Sequence, residues 1–481
     1  MSAVHSTERE RSFWSDCLTS ASRPFARESS ARNALIVSAL TVAVKVAGAA
    51  KIAISARVLG PGDELDSYLV AFLVPSILCD VLAGSLAPAL IPELANGTEP
   101  KAEGMAANRA FFLVCIGVFG IAMVIAASIS GWVLPGIAHG FSPSKLELTH
   151  RLLILMVPMI PLSGLSAMWR AVLNHKGRFL LSTGSAIMTP LLASVFLLSG
   201  RGINALALGT VLGSLTEALL LGAGLVSTGA SILPQIQRGF GFHRWLSIGY
   251  VPLLLASALG AGSNVIDQTI AAGLGPGSVS VLNLGTRLVT VLLAIGPASV
   301  ATVLMPKFSK LIADANWVKL RHLASVSTLA GMLLMIPPTL VGFWFAKPLA
   351  EFAFFKGSGR PEPIGLIAAV QAFSFLQLPF VMGSVILSRL LVSLREARRL
   401  LLLTGSALIL KVVLGLSLAK VMGVAGLSLS MSCVQLVVFL MTLRLALQAE
   451  MQISQSDSSC LVDFTGSLQG VGMERMTKRL L

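Results

Sequence analysis

Charge is scarce in this chain. Only 12% of its residues are Asp, Glu, Lys or Arg, about half of what soluble proteins carry. The motifs of soluble chemistry are missing as well. There is no phosphate-binding loop, no dinucleotide-binding glycine signature, no His-Glu-x-x-His and no nucleophile elbow. "FFKGSGR" at 354–360 lacks the phosphate-loop spacing and reads as a plain loop. The five cysteines (Cys17, Cys79, Cys115, Cys433, Cys460) are scattered, with no Cys-x-x-Cys or Cys/His spacing, which excludes a disulfide framework and gives no metal site. Residues 1–33 are polar and Arg/Ser-rich without an apolar stretch, so they do not read as a secretory signal. Glu8, Glu10, Asp16 and Glu28 count against a transit peptide, and a disordered cytoplasmic tail is expected.

Apolar residues are what the chain has in excess. They make up 55% of it, the mean hydropathy is +0.83, and apolar runs longer than 18 residues recur throughout. Each is long enough to cross a hydrocarbon core of ~30 Å as a helix. The class is an all-α polytopic membrane protein. The net charge of +14 then points to the positive-inside rule and to anionic lipid head groups rather than to nucleic acid.

About twelve spans are predicted: 34–58, 67–92, 110–134, 152–173, 179–199, 202–226, 246–273, 278–305, 323–345, 364–389, 398–418 and 423–447. With the N-terminus inside, the cytoplasmic loops hold thirteen Lys and Arg and the opposite loops seven, and the N-terminal tail adds five to the inner side. Both termini are therefore predicted to be cytoplasmic. The first outer loop, "GPGDELD", has three carboxylates and no base.

The two halves echo each other. Leu59-Gly60-Pro61-Gly62 matches Leu274-Gly275-Pro276-Gly277; "ALIPEL" at 89–94 matches "VLMPKF" at 303–308; Pro161, Gly164 and Arg170 match Pro379, Gly383 and Arg389; "TGSA" recurs at 183 and 404; "GINALALG" at 202 matches "GVAGLSLS" at 423. The order is kept and the offset drifts only from 214 to 221. A six-helix unit duplicated in the same direction gives two parallel lobes around a central cavity, as in secondary transporters. The organisation predicted is a tail (1–33), an N-lobe (34–226), a cytoplasmic linker (227–245), a C-lobe (246–447) and a cytoplasmic C-terminal tail (448–481).

Ionisable residues inside spans are functional candidates by default, at about 2.5–3.5 kcal/mol each on insertion scales. They are Lys45, Lys51, Asp80, Glu217, Asp267, Arg287 and Lys411. Arg57, Arg170, Arg389 and Arg444 lie near span ends, where snorkelling is the expectation. Lys45 and Lys51 are six residues apart, so they project some 120° apart on the helix. They do not share one narrow stripe, although a wide cavity has room for both. Lys45 with Asp80, and Asp267 with Lys411, are candidate pairs. A bundle-interior contact is the first expectation for Glu217. Gly48 and its small neighbours allow a close approach to span 1. Prolines in or beside spans (Pro75, Pro158, Pro337 and Pro379 among them) predict kinks around a cavity.

Residues 55–97 ("SARVLGPGDELDSYLVAFLVPSILCDVLAGSLAPALIPELANG"), 140–179 (with "VLNHKGRF"), 282–310 and 349–359 resemble the MurJ/MviN lipid II flippases of the MOP superfamily, and the likeness covers about 35–447. The resemblance implies a V-shaped, two-lobed, MATE-like alternating-access flippase, not an enzyme, in the bacterial inner membrane. Its cargo would be undecaprenyl-pyrophosphate-linked peptidoglycan precursor, held through the pyrophosphate by cationic residues. By position these are Lys45, Lys51 and Arg287, with Asp80, Glu217, Asp267 and Lys411 in coupling or charge-pairing roles. No cofactor or metal is expected; membrane potential or an ion gradient would drive the cycle. Partners would be the lipid-linked oligosaccharide and membrane lipids, not nucleic acid, with the protein monomeric. The chain also departs from the family. Where the second span usually carries two arginines and Ala-Glu-Gly, it reads Cys79-Asp80-Val81-Leu82-Ala83-Gly84-Ser85, and the family's two further C-terminal spans are not among the twelve. Some members place sodium ligands in spans 7, 11 and 12; here Asp267 matches the carboxylate, while Lys411 and Gly415 stand where other ligands are expected, so a lysine ammonium is expected in place of the cation. Export of an exopolysaccharide or O-antigen repeat unit, a small-molecule antiporter and a non-transporting scaffold are the other readings.

Overall fold

A computed structural model describes residues 36–85, 103–200, 202–228, 250–355, 364–394 and 396–477. The expected N-terminal tail, nearly all of the linker and most of the loop at 354–360 lie outside the described residues.

Every regular element among the described residues is helical. Helix α1 (Ile36–Leu59) ends where Gly60 takes φ 76°. That left-handed backbone suits a glycine just past a helix end, and the proline that follows prevents continuation. Helix α2 (Asp63–Leu78) then starts with Asp63, Glu64 and Asp66 in its first turn, where carboxylates favour the positive end of the helix dipole. It runs on as a π-helical turn, Cys79–Ala83. Then come α3 (Glu103–Ile137), α4 (Pro143–Met156), α5 (Met159–His175), α6 (Phe179–Gly184), α7 (Met188–Leu198) and α8 (Gly202–Ser227). The second half comprises α9 (Val251–Ala272), α10 (Ser278–Ala313), α11 (Trp317–Trp344), the short α12 (Ala346–Ala350), α13 (Ile364–Phe375), α14 (Leu378–Ser393) and α15 (Ala397–Thr477). The last is broken at Gly423 (φ 61°, ψ −138°), where expected span 12 begins.

The internal repeat is visible in the packing. Helix α2 packs on α4 in the first half as α10 packs on α13 and α14 in the second. Helix α5 packs on α8 as α14 packs on α15, and α3 on α5 as α11 on α14. The fourth and tenth expected spans are each broken, at Val157–Pro158 and at Leu376–Gln377. Gly209 and Gly213, four residues apart on α8, bring its backbone against α7. A Cβ at Gly213 would lie 2.5 Å from Thr189 Cα, the close approach that small residues allow between membrane helices.

By length and composition alone, eight helices among the described residues can cross a membrane. A ninth is counted if Phe119–Ser128 and Ser130–Ile137, bent by 69°, form one span. The expected count of twelve is not reproduced by this criterion. Leu402–Gln448 counts once although it holds expected spans 11 and 12, and Ser278–Ala294 is a shorter apolar helix. The C-terminal segment 448–481, expected as a polar tail, continues α15 as helix to Thr477.

Candidate functional site

A cavity of about 1020 Å³ lies between the halves. Its wall is built from α1, α2 and its π-turn, α9, α10, the break at Gln377, and both parts of α15. Five charged side chains line it: Lys45, Asp80, Asp267, Arg287 and Lys411. Around them are Ser76, Ser263, Asn264, Gln268, Asn283 and Gln435. This is a polar chamber in a chain that is otherwise apolar.

The charges are in different states. Lys411 Nζ lies 2.5 Å from Asp267 Oδ2 and donates to Ser263 Oγ at 2.5 Å. Both members of the pair are buried, and Asp267 Oδ1 has no hydrogen-bond partner among the described residues. The pairing expected for these two residues is therefore present. Lys45 and Asp80 lie close enough to interact electrostatically, but they form no ion pair, and both are exposed to the cavity. That candidate pair is not made. An aspartate side chain is short, and both side chains project into open cavity space. Arg287 has no ion-pair or hydrogen-bond partner among the described residues, and its Nε is a buried orphan. Its guanidinium crosses to α1, where a Cβ at Gly48 would meet Nη2 at 2.8 Å. The small residue at 48 thus makes room for Arg287.

Lys51 lies elsewhere. It is 6% exposed and turned into the first half. There it donates to Tyr68 Oη at 3.2 Å and sits 4.8 Å from the centre of the Phe72 ring. Tyr68 Oη in turn meets Thr210 Oγ1 at 2.9 Å. Phe72 lines the cavity, so Lys51 stands behind it rather than on the wall. The 120° between the two lysines sends one to the chamber and the other to the interior. Glu217 also lies outside the chamber. It pairs with Arg170 and accepts from Thr189 Oγ1 at 3.2 Å, as expected for a bundle-interior contact. Arg170 is therefore an ion-pair partner rather than a snorkelling residue. Arg57 also departs from that expectation. Its Nη2 donates to the carbonyls of Phe352 and Ala353, at 3.0 and 3.1 Å, from the other half of the chain.

The two halves also meet through residues that were not among the sequence candidates. Asp66 is fully buried and accepts from Gly277 N at 2.6 Å, Ser280 N at 2.8 Å and Ser280 Oγ at 2.5 Å. It caps α10 of the opposite half, where a carboxylate meets free N–H groups and the positive end of the dipole. Lys145 Nζ bridges Asp66 at 3.0 Å and Asp63 at 2.8 Å and lies 3.9 Å from the Phe141 ring centre. The two Leu-Gly-Pro-Gly turns touch here, since a Cβ at Gly277 would come 3.6 Å from Pro61 O. The available signal was the acidic "DELD" opening a helix beside one copy of a repeated turn.

Two sets of helices with matching internal packing and a charged chamber between them are the architecture of a membrane transporter. Solved structures share the fold. A lipid II flippase MurJ in an inward closed conformation matches with a TM-score of 0.74 at 18% identity, covering 88% of this chain and 90% of that one. An inward-facing multidrug resistance MATE family transporter of the MOP superfamily matches at 0.66 and 14% identity, covering 88% and 99%. The family model described as lipid II flippase MurJ matches residues 55–463, and the chain belongs to that family. Among its relatives are the lipid II flippase MurJ of Burkholderia cenocepacia, 27% identical with 71% of this chain and 69% of that protein covered, and the probable lipid II flippase MurJ of Vibrio cholerae, 26% identical with 69% and 67% covered.

Proposed function

We propose that this protein flips a polyprenyl-pyrophosphate-linked glycan, lipid II as in the names of its relatives, across the bacterial inner membrane by alternating access. The observation that carries this reading is a pair of cations, Lys45 and Arg287, that face one cavity without any ion-pair partner among the described residues. They come from opposite halves. An anion bound between them links the halves, so binding and closure are coupled. Arg287 offers a guanidinium fork to phosphate oxygens and Lys45 a compact ammonium. Lys51 adds its field from behind Phe72.

In this reading the Leu-Gly-Pro-Gly turns face outward, both termini are cytoplasmic, and the latch at Asp66 holds the outer end shut while the chamber opens inward. Cargo head groups enter from the inner side. The lobes then rock, breaking the contacts of Asp66 with α10, and release occurs outside. Membrane potential or an ion gradient supplies the bias, and the protein acts as a monomer.

The test is binding by purified protein of a polyprenyl-pyrophosphate glycan compared with its monophosphate analogue. Preference for the pyrophosphate, lost in the double variant K45A/R287A, is the expected result. Equal binding of both lipids, or binding that survives the double substitution, would refute the assignment.

A further inference from the structure

The cavity wall carries one more charge than a pyrophosphate site needs. Asp267 is neutralised by Lys411 at 2.5 Å. Asp80 has no hydrogen bond and no ion pair among the described residues, and its side chain is exposed on the chamber wall. It sits on the π-turn Cys79–Ala83. Such turns are uncommon and recur at functional sites. A carboxylate without a hydrogen bond or ion pair, on the wall that also carries Lys45 and Arg287, opposes the binding of a simple anion. Complementarity instead favours a ligand that bears a positive charge as well as negative ones.

The chamber has room for that. At about 1020 Å³ it lies at the upper end of the range for pockets that enclose drug-sized molecules, and a pyrophosphate fills only part of it. An inorganic cation is poorly served at Asp80. Magnesium and calcium take six or more oxygen ligands, and no group of three His, Cys, Asp or Glu side chains suited to a metal occurs among the described residues. An alkylammonium fits better, because its three N–H donors need one carboxylate and a few neutral oxygens. Ser76, one turn before Asp80 and on the same wall, supplies such an oxygen.

Resting on the pyrophosphate reading above, we propose that Asp80 forms an ammonium subsite. It binds a primary amine on the cargo head group while Lys45 and Arg287 hold the phosphates, so the chamber selects amine-bearing lipid-linked glycans over purely anionic ones.

The experiment uses the full-length protein and two forms of one lipid: a polyprenyl-pyrophosphate glycopeptide with a free side-chain amine, and the same lipid with that amine acetylated. Wild type is expected to bind the free amine about tenfold more tightly, the size of one charge-assisted hydrogen bond at the low end of its range. D80N should bind the two forms alike, and D80E should keep the preference. Equal binding of both forms by wild type overturns this inference and leaves the pyrophosphate reading standing. Failure of wild type to bind either form overturns both. A preference that persists in D80N assigns the amine to another group and refutes the subsite. Tighter binding of both forms by D80N, by one common factor, would make Asp80 a merely repulsive charge and refute it too. So would an affinity that follows sodium-for-potassium exchange in wild type and not in D80N.

Discussion

Replacing Asp66 by Asn should loosen the contact that Asp66 makes between the two halves. The side chain keeps its shape and loses its charge. Three donors from α10 point at it, from Gly277 N, Ser280 N and Ser280 Oγ, at 2.5 to 2.8 Å. A hydrogen bond to a charged group contributes roughly 1.5–3 kcal/mol and a neutral one about 0.5–1.5. Each contact therefore weakens by about 1 kcal/mol, and the amide NH2 turns at least one donor against another. The closed state loses about 3 kcal/mol relative to an open one, which shifts their ratio roughly a hundredfold. Lys145 keeps Asp63 as a partner, so the first half should stay folded. Spin labels at the exposed positions Glu64 and Pro276, in a cysteine-free background, report the separation of the two turns. Wild type should give one short distance, and D66N a second, longer population that dominates. An unchanged distance distribution in D66N would refute the latch.

Two other perturbations follow from the ion pairs. The Lys411 ammonium already neutralises Asp267, so wild type should melt at the same temperature in sodium and in potassium. K411A should lose about 3–5 kcal/mol, as expected when a buried carboxylate is left unpaired, and should regain part of it in sodium. Sodium-dependent stabilisation of wild type that disappears in D267A would contradict this. Glu217→Ala removes the partner of Arg170 inside the first half. Arg170 is about a third exposed, so water softens the loss to about 1–2 kcal/mol. Differential scanning fluorimetry should show a lower melting temperature, while cargo binding by the folded fraction holds. Loss of binding with unchanged stability would instead place Glu217 in the transport pathway.

Much of the architecture was legible because it is written in periodic or repeated signals. Leu-Gly-Pro-Gly occurs twice because the same tight turn is built twice. Asp267 and Lys411 were legible as a pair because two opposite charges deep in neighbouring apolar helices have few other ways to be satisfied. Lys51 was not legible. Its spacing from Lys45 fixed the angle between them, but not which of the two directions holds water; Tyr68 and Thr210, far apart in sequence, decide that. Asp66 escaped for a different reason. In the sequence it reads as one of three carboxylates in an outer loop, just before the span expected from 67, and nothing local says that it caps the helix of the other half. Arg170 read as a span-end residue because Glu217, its partner, lies 47 positions away. The span count suffered from Gly423, whose kink divides two helical stretches so closely joined that Leu402–Gln448 counts once.

Translocation itself is the most direct test of the account. A fluorescent polyprenyl-pyrophosphate glycan is placed in proteoliposomes holding the full-length protein, and its arrival in the opposite leaflet is followed by membrane-impermeant quenching. Wild type is predicted to move it, and K45A/R287A to lose nearly all of that movement while remaining folded and inserted. Translocation by the double variant at the wild-type rate, or none by wild type under an imposed membrane potential or ion gradient, would contradict the claim that these two cations carry the cargo across.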